Sequence, residues 1–253
     1  MPRGSDFQAR WSEGAWAEMK IIEALNAEEG LLAVQYGITD GTAFWSSRDM
    51  AARDLPQQDA HGKRPDILVF DRTMLGPGDE AQVAEVYGMT DEAADALVRK
   101  AVLAIESEFS PYAYMHRLKE YGKELSFTLK DEDYQPLKTW TDHYPVPLGL
   151  VQVYFDSSYF LSFASIVAGI CAGEIKPKIE RNYNKTVYYP PMSRGISFGS
   201  FVEPPVISAD LILDKYGKHT AYRKTEGGRI GLAEEMRQAI GDMRAALRER
   251  LGR

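Results

Sequence analysis

Two apolar runs with acidic residues at their ends are the feature that most constrains this chain. The run Ile67–Phe70 follows directly after Asp66, and the run over residues 102–105 leads directly into Glu106 and Glu108. Short apolar runs predict buried strands, and side chains two residues apart on a strand point to the same face. If the two strands pair, three carboxylates converge at one end of a sheet.

Clustered carboxylates repel each other and raise each other's pKa values unless a cation neutralises them. Oxygen ligands suit Mg²⁺, which commonly takes one or two protein carboxylates together with phosphate oxygens and water. The pattern therefore predicts a metal-dependent phosphodiesterase. The alternative is that Asp66 caps a turn while Glu106 and Glu108 are solvated at the end of a strand.

Helical and strand patterns alternate over about residues 12–172, which predicts an α/β core with a mixed central β-sheet flanked by helices. From about residue 175 short β-prone runs alternate with prolines and glycines, so residues 175–229 are expected to form a β-rich elaboration. Residues 231–251 predict an amphipathic C-terminal helix. No stretch has the composition of a linker, so residues 1–253 are interpreted as one domain.

The first helix is expected to run from an N-cap at Ser12 to about Ala27. Its carboxylates Glu18 and Glu23 are predicted to be solvated, with the alternative that one of them faces the acidic cluster. Residues 37–62 predict a long loop over a substrate, with a short helix near residues 48–55.

Further elements are expected along the second half of the core. Thr90 is predicted to cap a helix over residues 91–101, and residues 110–121 predict another helix. Alternation over residues 125–130 predicts a strand, and the apolar stretch over residues 159–172 predicts a buried helix. The one cysteine, Cys171, is expected to pack in the core there.

The charges are distributed unevenly along the chain. The net charge is −7, with 28 acidic against 15 basic residues in positions 1–174 but 10 basic against 5 acidic in positions 175–229. Lysine and arginine neutralise phosphates, and Asn and Arg can read base edges. The basic section is thus predicted to contact DNA, the alternative being a solvated surface. The candidate contact residues, with two more beside the acidic cluster, are Lys63, Arg64, Lys178, Arg181, Asn182, Asn184, Lys185 and Arg194.

No apolar run reaches the length of a membrane helix, and the N-terminus lacks the apolar core of a secretory signal. A single cysteine cannot form an internal disulfide. Both observations predict a cytoplasmic protein that does not associate with a membrane.

The chain resembles the PD-(D/E)XK nucleases, and among them the type II restriction endonucleases. The resemblance depends on Pro65-Asp66 before the first apolar run and on residues 104–108 about forty positions later. Residues 125–133 and 146–156 also look like the continuation of the core sheet in several restriction enzymes.

The resemblance implies a restriction-endonuclease-like core in which Asp66 and Glu106 bind Mg²⁺ at one end of the sheet. The third position of the motif is usually lysine, whereas here it is Glu108. Some restriction enzymes resemble this sequence in having Glu-x-Glu there. Glu108 would then orient or deprotonate the attacking water; alternatively, Lys130 would supply the missing cation.

The function that the resemblance implies is hydrolysis of phosphodiester bonds at a specific double-stranded DNA sequence, by a homodimer that matches a palindromic site. A repair or mobile-element nuclease and a catalytically inactive DNA-binding module are the alternatives. Carbohydrate binding by the aromatic, β-rich section depends on composition alone.

Overall fold

A computed structural model of the chain describes residues 5–37, 60–114, 118, 125–180, 185–213 and 219–252. It confirms the mixed α/β class, with helices on both faces of a large sheet. The helices are α1 (Ser5–Asn26), α2 (Asp79–Ala84), α3 (Asp91–Val98), α4 (Asp131–His143), α5 (Phe163–Cys171) and α6 (Glu234–Arg250). The strands are β1 (Leu31–Gln35), β2 (Ile67–Asp71), β3 (Leu103–Phe109), β4 (Leu129–Lys130), β5 (Leu148–Val153), β6 (Ser157–Ser162), β7 (Pro177–Glu180), β8 (Lys185–Tyr188), β9 (Ile196–Leu213) and β10 (His219–Leu232).

The large sheet has seven strands in the order β1-β2-β3-β5-β6-β9-β10. Its neighbours are antiparallel except for β3 and β5, which run parallel. Parallel neighbours need a crossover connection, and α4 lies in the connection between these two strands. A second sheet has three strands in the order β4-β8-β7.

Alternation along the strands divides the apolar side chains between two cores. Leu68 and Phe70 point to a core that contains residues of α2, α3, α4 and α5. Ile67 and Val69 point to the opposite core, where α1 and α6 pack against the sheet. The strand β2 is thus buried on both faces, which is why its sequence is apolar throughout.

Local signals explain some of these elements directly. The hydroxyl of Thr90 accepts a hydrogen bond from the Ala93 N–H, so Thr90 is the N-cap of α3, as predicted. Asp91 and Glu92 in the first turn favour the helix because negative charge is stabilised at a helix N-terminus.

The predicted start of the first helix is wrong. Helix α1 begins at Ser5, so Ser12 lies inside it rather than at its N-cap. Glu18 is buried, contrary to the solvated position expected for it, whereas the side chain of Glu23 is about half exposed.

The strand predicted over residues 125–130 is mostly absent. Only Leu129–Lys130 forms a strand, and it belongs to the small sheet through β8 instead of continuing the large one. The preceding residues bond to non-strand backbone, since the Phe127 N–H donates to the Pro190 carbonyl. An alternating pattern does not show which partner a strand will pair with.

The buried helix predicted over residues 159–172 is half strand. Residues 157–162 form β6, which pairs with β5 on one side and β9 on the other, and α5 begins at Phe163. Periodicity alone does not distinguish a short buried strand from a buried helix. Cys171 lies in the last turn of α5, where it is exposed, so the prediction of core packing is wrong.

The long loop predicted over residues 37–62 falls mainly on residues 38–59, which lie outside the described residues. The same holds for half of the helix predicted over residues 110–121, namely residues 115–117 and 119–121. None of the described helices is both long enough and apolar enough to cross a membrane.

A buried carboxylate fastens the C-terminal helix to the sheet. Asp71 at the end of β2 is fully buried, and it accepts hydrogen bonds from Arg244 Nε at 2.8 Å and Arg248 at 3.0 Å. Burial raises the pKa of Asp71, but the hydrogen bonds from Arg244 and Thr73 outweigh it, so the pKa lies below its usual range. This ion pair holds α6 beside the strand that follows Asp66.

Candidate active site

The pairing of β2 with β3 brings Asp66 to the acidic end of β3. Ile67 pairs with Ile105 in the antiparallel register, and the Asp66 carboxylate accepts a hydrogen bond of 2.7 Å from the Ser107 N–H. Asp66 is only 7% exposed. Burial first, and then the charges of Glu106 and Glu18, hold the pKa of Asp66 well above its usual range.

Glu106 is the most deeply buried carboxylate of the cluster, with 3% of its surface exposed. Its Oε1 contacts the ammonium group of Lys63. Among the described residues its Oε2 has no hydrogen-bond partner. Burial raises the pKa of Glu106 to about 7 even though Lys63 acts in the opposite direction, so a metal-free site holds this carboxyl close to its ionisation midpoint at neutral pH.

Glu108 lies two residues further along β3 and shares a face with Glu106 because strand side chains alternate. Its side chain is 18% exposed, and Lys130 Nζ lies 3.6 Å from its Oε1. Burial raises the pKa of Glu108, and the nearby Lys130 offsets part of that effect. In the neighbouring strand β5 its register partner is the buried Gln152.

Lys63 brings a positive charge into the cluster from outside the strands. Its Nζ contacts Glu106 and donates to Asp133 Oδ1 at 2.8 Å. Burial alone would lower the pKa of Lys63, but the carboxylates of Glu106 and Asp66 raise it above its usual range. Lys63 was predicted to contact DNA phosphate; the structure instead places it on a carboxylate of the proposed metal site.

Two glycines explain how the segment that carries Lys63 and Asp66 reaches this position. Gly62 has a φ of +92°, and a Cβ there would lie 2.2 Å from the Pro136 carbonyl of α4. A Cβ on Gly37 would lie 2.9 Å from the Pro65 carbonyl. The segment is therefore held between α4 on one side and the end of β1 on the other, where only glycine fits.

Two further carboxylates belong to the site, of which sequence reasoning missed one and gave the other only as an alternative. Asp133 sits in the first turn of α4, where it contacts Lys63 and lies 3.7 Å from Lys130. The acidic run at residues 131–133, directly after the strand-end Lys130, was the signal that could have found it. Glu18 of α1 had been assigned to solvent, although facing the cluster was the alternative, and its charge acts on Asp66.

Arg64 does not fit the predicted phosphate contact. It is buried, and its Nε donates to Asp91 Oδ1 at 2.7 Å while its Nη2 donates to the Met89 carbonyl. Its guanidinium also lies 4.7 Å from the centre of the Tyr36 ring. A group enclosed in this way does not reach a DNA backbone, so Arg64 is not in a position to contact DNA.

The other predicted DNA contacts lie in different places. Lys178 is exposed on β7, and Lys185 on β8 contacts the exposed Glu132. Arg194 contacts Glu174 beyond the small sheet. Three further candidates lie outside the described residues: Arg181, Asn182 and Asn184.

The resemblance implies a Mg²⁺ ion at these carboxylates. Within the described ranges, no three His, Cys, Asp or Glu side chains stand in an arrangement that could hold a metal ion by themselves. Mg²⁺ needs only one or two protein carboxylates when phosphate and water complete its shell. The buried and unpartnered Oε2 of Glu106 is costly unless a cation or donor approaches it. Asp66 and Glu106 therefore fit a Mg²⁺ ion that is shared with a substrate phosphate.

No family model matches the chain, and no curated protein or solved structure matches it. The geometry of the site is therefore what bears on the function of the chain. That geometry consists of two buried carboxylates at the paired ends of β2 and β3, a third carboxylate beside them, and two lysines among the three.

Proposed function

We propose that the chain is a Mg²⁺-dependent endonuclease that hydrolyses phosphodiester bonds at a specific sequence in double-stranded DNA, acting as a homodimer in the manner of a type II restriction enzyme. The observation that carries this proposal is the buried, unpartnered Oε2 of Glu106 beside the buried Asp66. Burying two like charges is unfavourable, and carboxylate clusters with shifted pKa values are typical of functional sites.

The carboxylates of the site would have different roles in hydrolysis. Asp66 and Glu106 would hold the metal, and the Ser107 N–H fixes the Asp66 carboxylate in place. Mg²⁺ bound there would polarise the phosphate and lower the pKa of a bound water. Glu108, whose pKa is raised by burial, would accept the proton of the attacking water.

The small sheet supports a path for DNA next to these carboxylates. Lys130 on β4 pairs with Val187 on β8, so the basic hairpin β7–β8 is bonded directly to the strand beside Glu108. Lys178 on the outer strand β7 is exposed. Phosphate contacts from this hairpin would position the duplex over the acidic end of β3.

The proposal is tested by incubating the purified protein with plasmid and phage DNA, once with Mg²⁺ and once with chelator. Discrete fragments are expected with Mg²⁺ and intact DNA with chelator. Mg²⁺ is also expected to stabilise the protein, by about 2.7 kcal/mol at 100 times its dissociation constant, which thermal unfolding measures without any cleavage. A smear of fragments would point to a repair or mobile-element nuclease, and intact DNA under every condition would contradict nuclease function.

A catalytically inactive DNA-binding module is the second candidate, and one observation favours it. Lys63 already contacts Glu106, so a protein ammonium group partly neutralises the carboxylate that a metal would use. This candidate predicts DNA binding that is unaffected by Mg²⁺ and no stabilisation of the protein by the metal.

The two lysines of the site are expected to contribute unequally to cleavage. Lys63 contacts Glu106 directly, whereas Lys130 lies 3.6 Å from Glu108. Because Lys63 lies beside the two proposed metal ligands, Glu106 and Asp66, we expect it rather than Lys130 to supply positive charge next to the phosphate. Lys63→Met is expected to lower the single-turnover cleavage rate about 100-fold, comparable to removing one transition-state donor.

The matched variant Lys130→Met is expected to lower the same rate less than tenfold. Urea unfolding of both variants separates an effect on cleavage from loss of structure. If Lys130→Met has the larger effect, the missing charge comes from Lys130, as the sequence had suggested, and not from Lys63.

A further inference from the structure

A second concave site includes Tyr159, whose side chain shares a face of the large sheet with Glu108, and extends to the beginning of α6, which packs on the opposite face. It is a cavity of about 380 Å³ between β6, β9 and the beginning of α6, a volume within the range of small-molecule sites. Its walls combine two aromatic rings, two apolar side chains and a few polar groups. The lining residues that matter here are Tyr114, Tyr159, Met192, Ser193, Ile196 and Glu235.

The register of the sheet connects this cavity to the candidate active site. Glu108 pairs with Gln152, Gln152 pairs with Tyr159, and Tyr159 pairs with Ser197. Residues in register on neighbouring strands point to the same face, and strands are about 4.8 Å apart. The Tyr159 backbone is therefore two strand spacings, roughly 10 Å, from that of Glu108.

Hydrogen bonds hold Gln152, the residue that lies between Glu108 and Tyr159 in the sheet. The Gln152 side chain accepts from the Thr128 N–H at 3.1 Å and donates to the Ser110 hydroxyl at 3.1 Å. Tyr114 is held by its own N–H, which donates to Asp156 Oδ1 at 2.8 Å. Gln152 is fully buried, so the cavity and the carboxylates are connected through the interior of the sheet.

The lining combines an aromatic ring with a carboxylate. The Tyr114 and Tyr159 rings pack against each other at 52° with centroids 4.8 Å apart, and Tyr159 is the less buried of the two, so its ring is the one that a ligand can contact. The exposed Glu235 carboxylate accepts one hydrogen bond from the Ser197 N–H at 3.2 Å. A carboxylate has acceptor capacity for several more, so a ligand amino group suits it.

We propose that this cavity is a subsite for one nucleobase that carries an exocyclic amino group, such as cytosine or adenine, with the Glu235 carboxylate accepting from that group. The inference rests on the proposed function, since a phosphodiester held at Glu106 and Glu108 would place a neighbouring base within reach of the cavity. Tyrosine rings stack on bases, and carboxylates accept from the cytosine amino group. In a duplex the base would have to leave the stack.

Binding of fluorescein-labelled (dC)10, (dA)10 and (dT)10 in chelator tests the proposal by fluorescence polarisation. The three probes share one backbone, so differences between them report the base. We expect (dC)10 and (dA)10 to bind about tenfold more tightly than (dT)10, whose base has no amino group. Equal affinities for the three probes would overturn the proposal.

Variants of a residue that lines the cavity test whether the preference for (dC)10 and (dA)10 over (dT)10 arises there. Glu235→Gln replaces an acceptor with a group that also donates, so the preference is expected to disappear or to invert towards (dT)10. The neighbouring Glu234→Gln, which removes the same charge at a residue that is 86% exposed, is expected to keep it. If Glu234→Gln and Glu235→Gln behave alike, charge alone is responsible and the subsite does not exist.

Tyr159 is tested in the same assay. Tyr159→Ala is expected to weaken (dC)10 binding about 5- to 100-fold, while Tyr159→Phe, which keeps the ring, retains most of it. If Tyr159→Ala does not fold, Tyr159→Phe and Glu235→Gln still test the proposal, since both keep an aromatic ring at residue 159.

The two proposals fail in distinguishable ways. Base-dependent binding without Mg²⁺-dependent cleavage would contradict the nuclease and retain the subsite. Cleavage of DNA together with equal binding of the three probes would retain the nuclease and overturn the subsite.

Discussion

Replacing Glu106 with glutamine is expected to lower Mg²⁺-dependent DNA cleavage by about 1,000-fold or more. Glutamine has the same shape, and its carbonyl oxygen still accepts a hydrogen bond from Lys63. It lacks the negative charge that Mg²⁺ requires, and the free Oε2 becomes an amide nitrogen. The measurement is a single-turnover cleavage rate at saturating protein, compared with the parent chain.

Two further readouts assign the loss to the metal site. The stabilisation of the protein by Mg²⁺ is expected to vanish in Glu106→Gln, whereas DNA binding in chelator stays within about threefold. The control is Glu132→Gln, at an exposed residue of α4 that contacts Lys185; it is expected to cleave within about twofold of the parent. Cleavage by Glu106→Gln at the parent rate would show that this carboxylate has only a structural role.

Elements of the fold were predictable where the residue types restrict the local backbone conformation. The apolar runs before and after the acidic residues are strands β2 and β3, and the Thr90 cap of α3 has the predicted side-chain hydrogen bond. Residues 157–162 failed because a short apolar run is compatible with either helix or strand. Pairing with both β5 and β9 decided the matter, and such long-range pairing is not written in the local sequence.

The site was partly predictable for a similar reason. Asp66 and Glu106 lie together as expected, because alternation and strand ends fix carboxylates that the strands themselves carry. Asp133 and the inward position of Lys63 come from the approach of α4 to Gly62. That approach is a tertiary contact, and a lysine beside an acidic strand looks the same in the sequence whether it faces the carboxylates or DNA.

Arg64 shows that a basic residue next to the acidic cluster need not contact DNA. Its neighbour Lys63 does face the cluster, yet Arg64 points in the opposite direction into the protein, where its guanidinium meets Asp91. Successive residues of an extended segment point to opposite sides. One of the two adjacent cations therefore serves the site, and the other anchors the segment that carries it.

Replacing Arg64 with methionine is expected to lower the free energy of unfolding by about 3–5 kcal/mol. Both partners of its ion pair with Asp91 are buried, so removing the arginine leaves the Asp91 carboxylate as an uncompensated charge. The Asp91 carboxylate also accepts a hydrogen bond of 2.9 Å from the Ala60 N–H. It therefore bonds to the chain both before and after Lys63. Urea unfolding followed by circular dichroism measures the change.

The matched control is Arg229→Met, which breaks an ion pair with Glu203 in which both side chains are exposed; its expected cost is below about 1 kcal/mol. Neutralising the partner should restore part of the loss, so Arg64→Met combined with Asp91→Asn is expected to be more stable than Arg64→Met alone. If the two losses simply add, the buried charge is not the cause. Because Arg64 precedes Asp66 by two residues, partial recovery of stability should be accompanied by partial recovery of cleavage, which would link the anchor to the site that it supports.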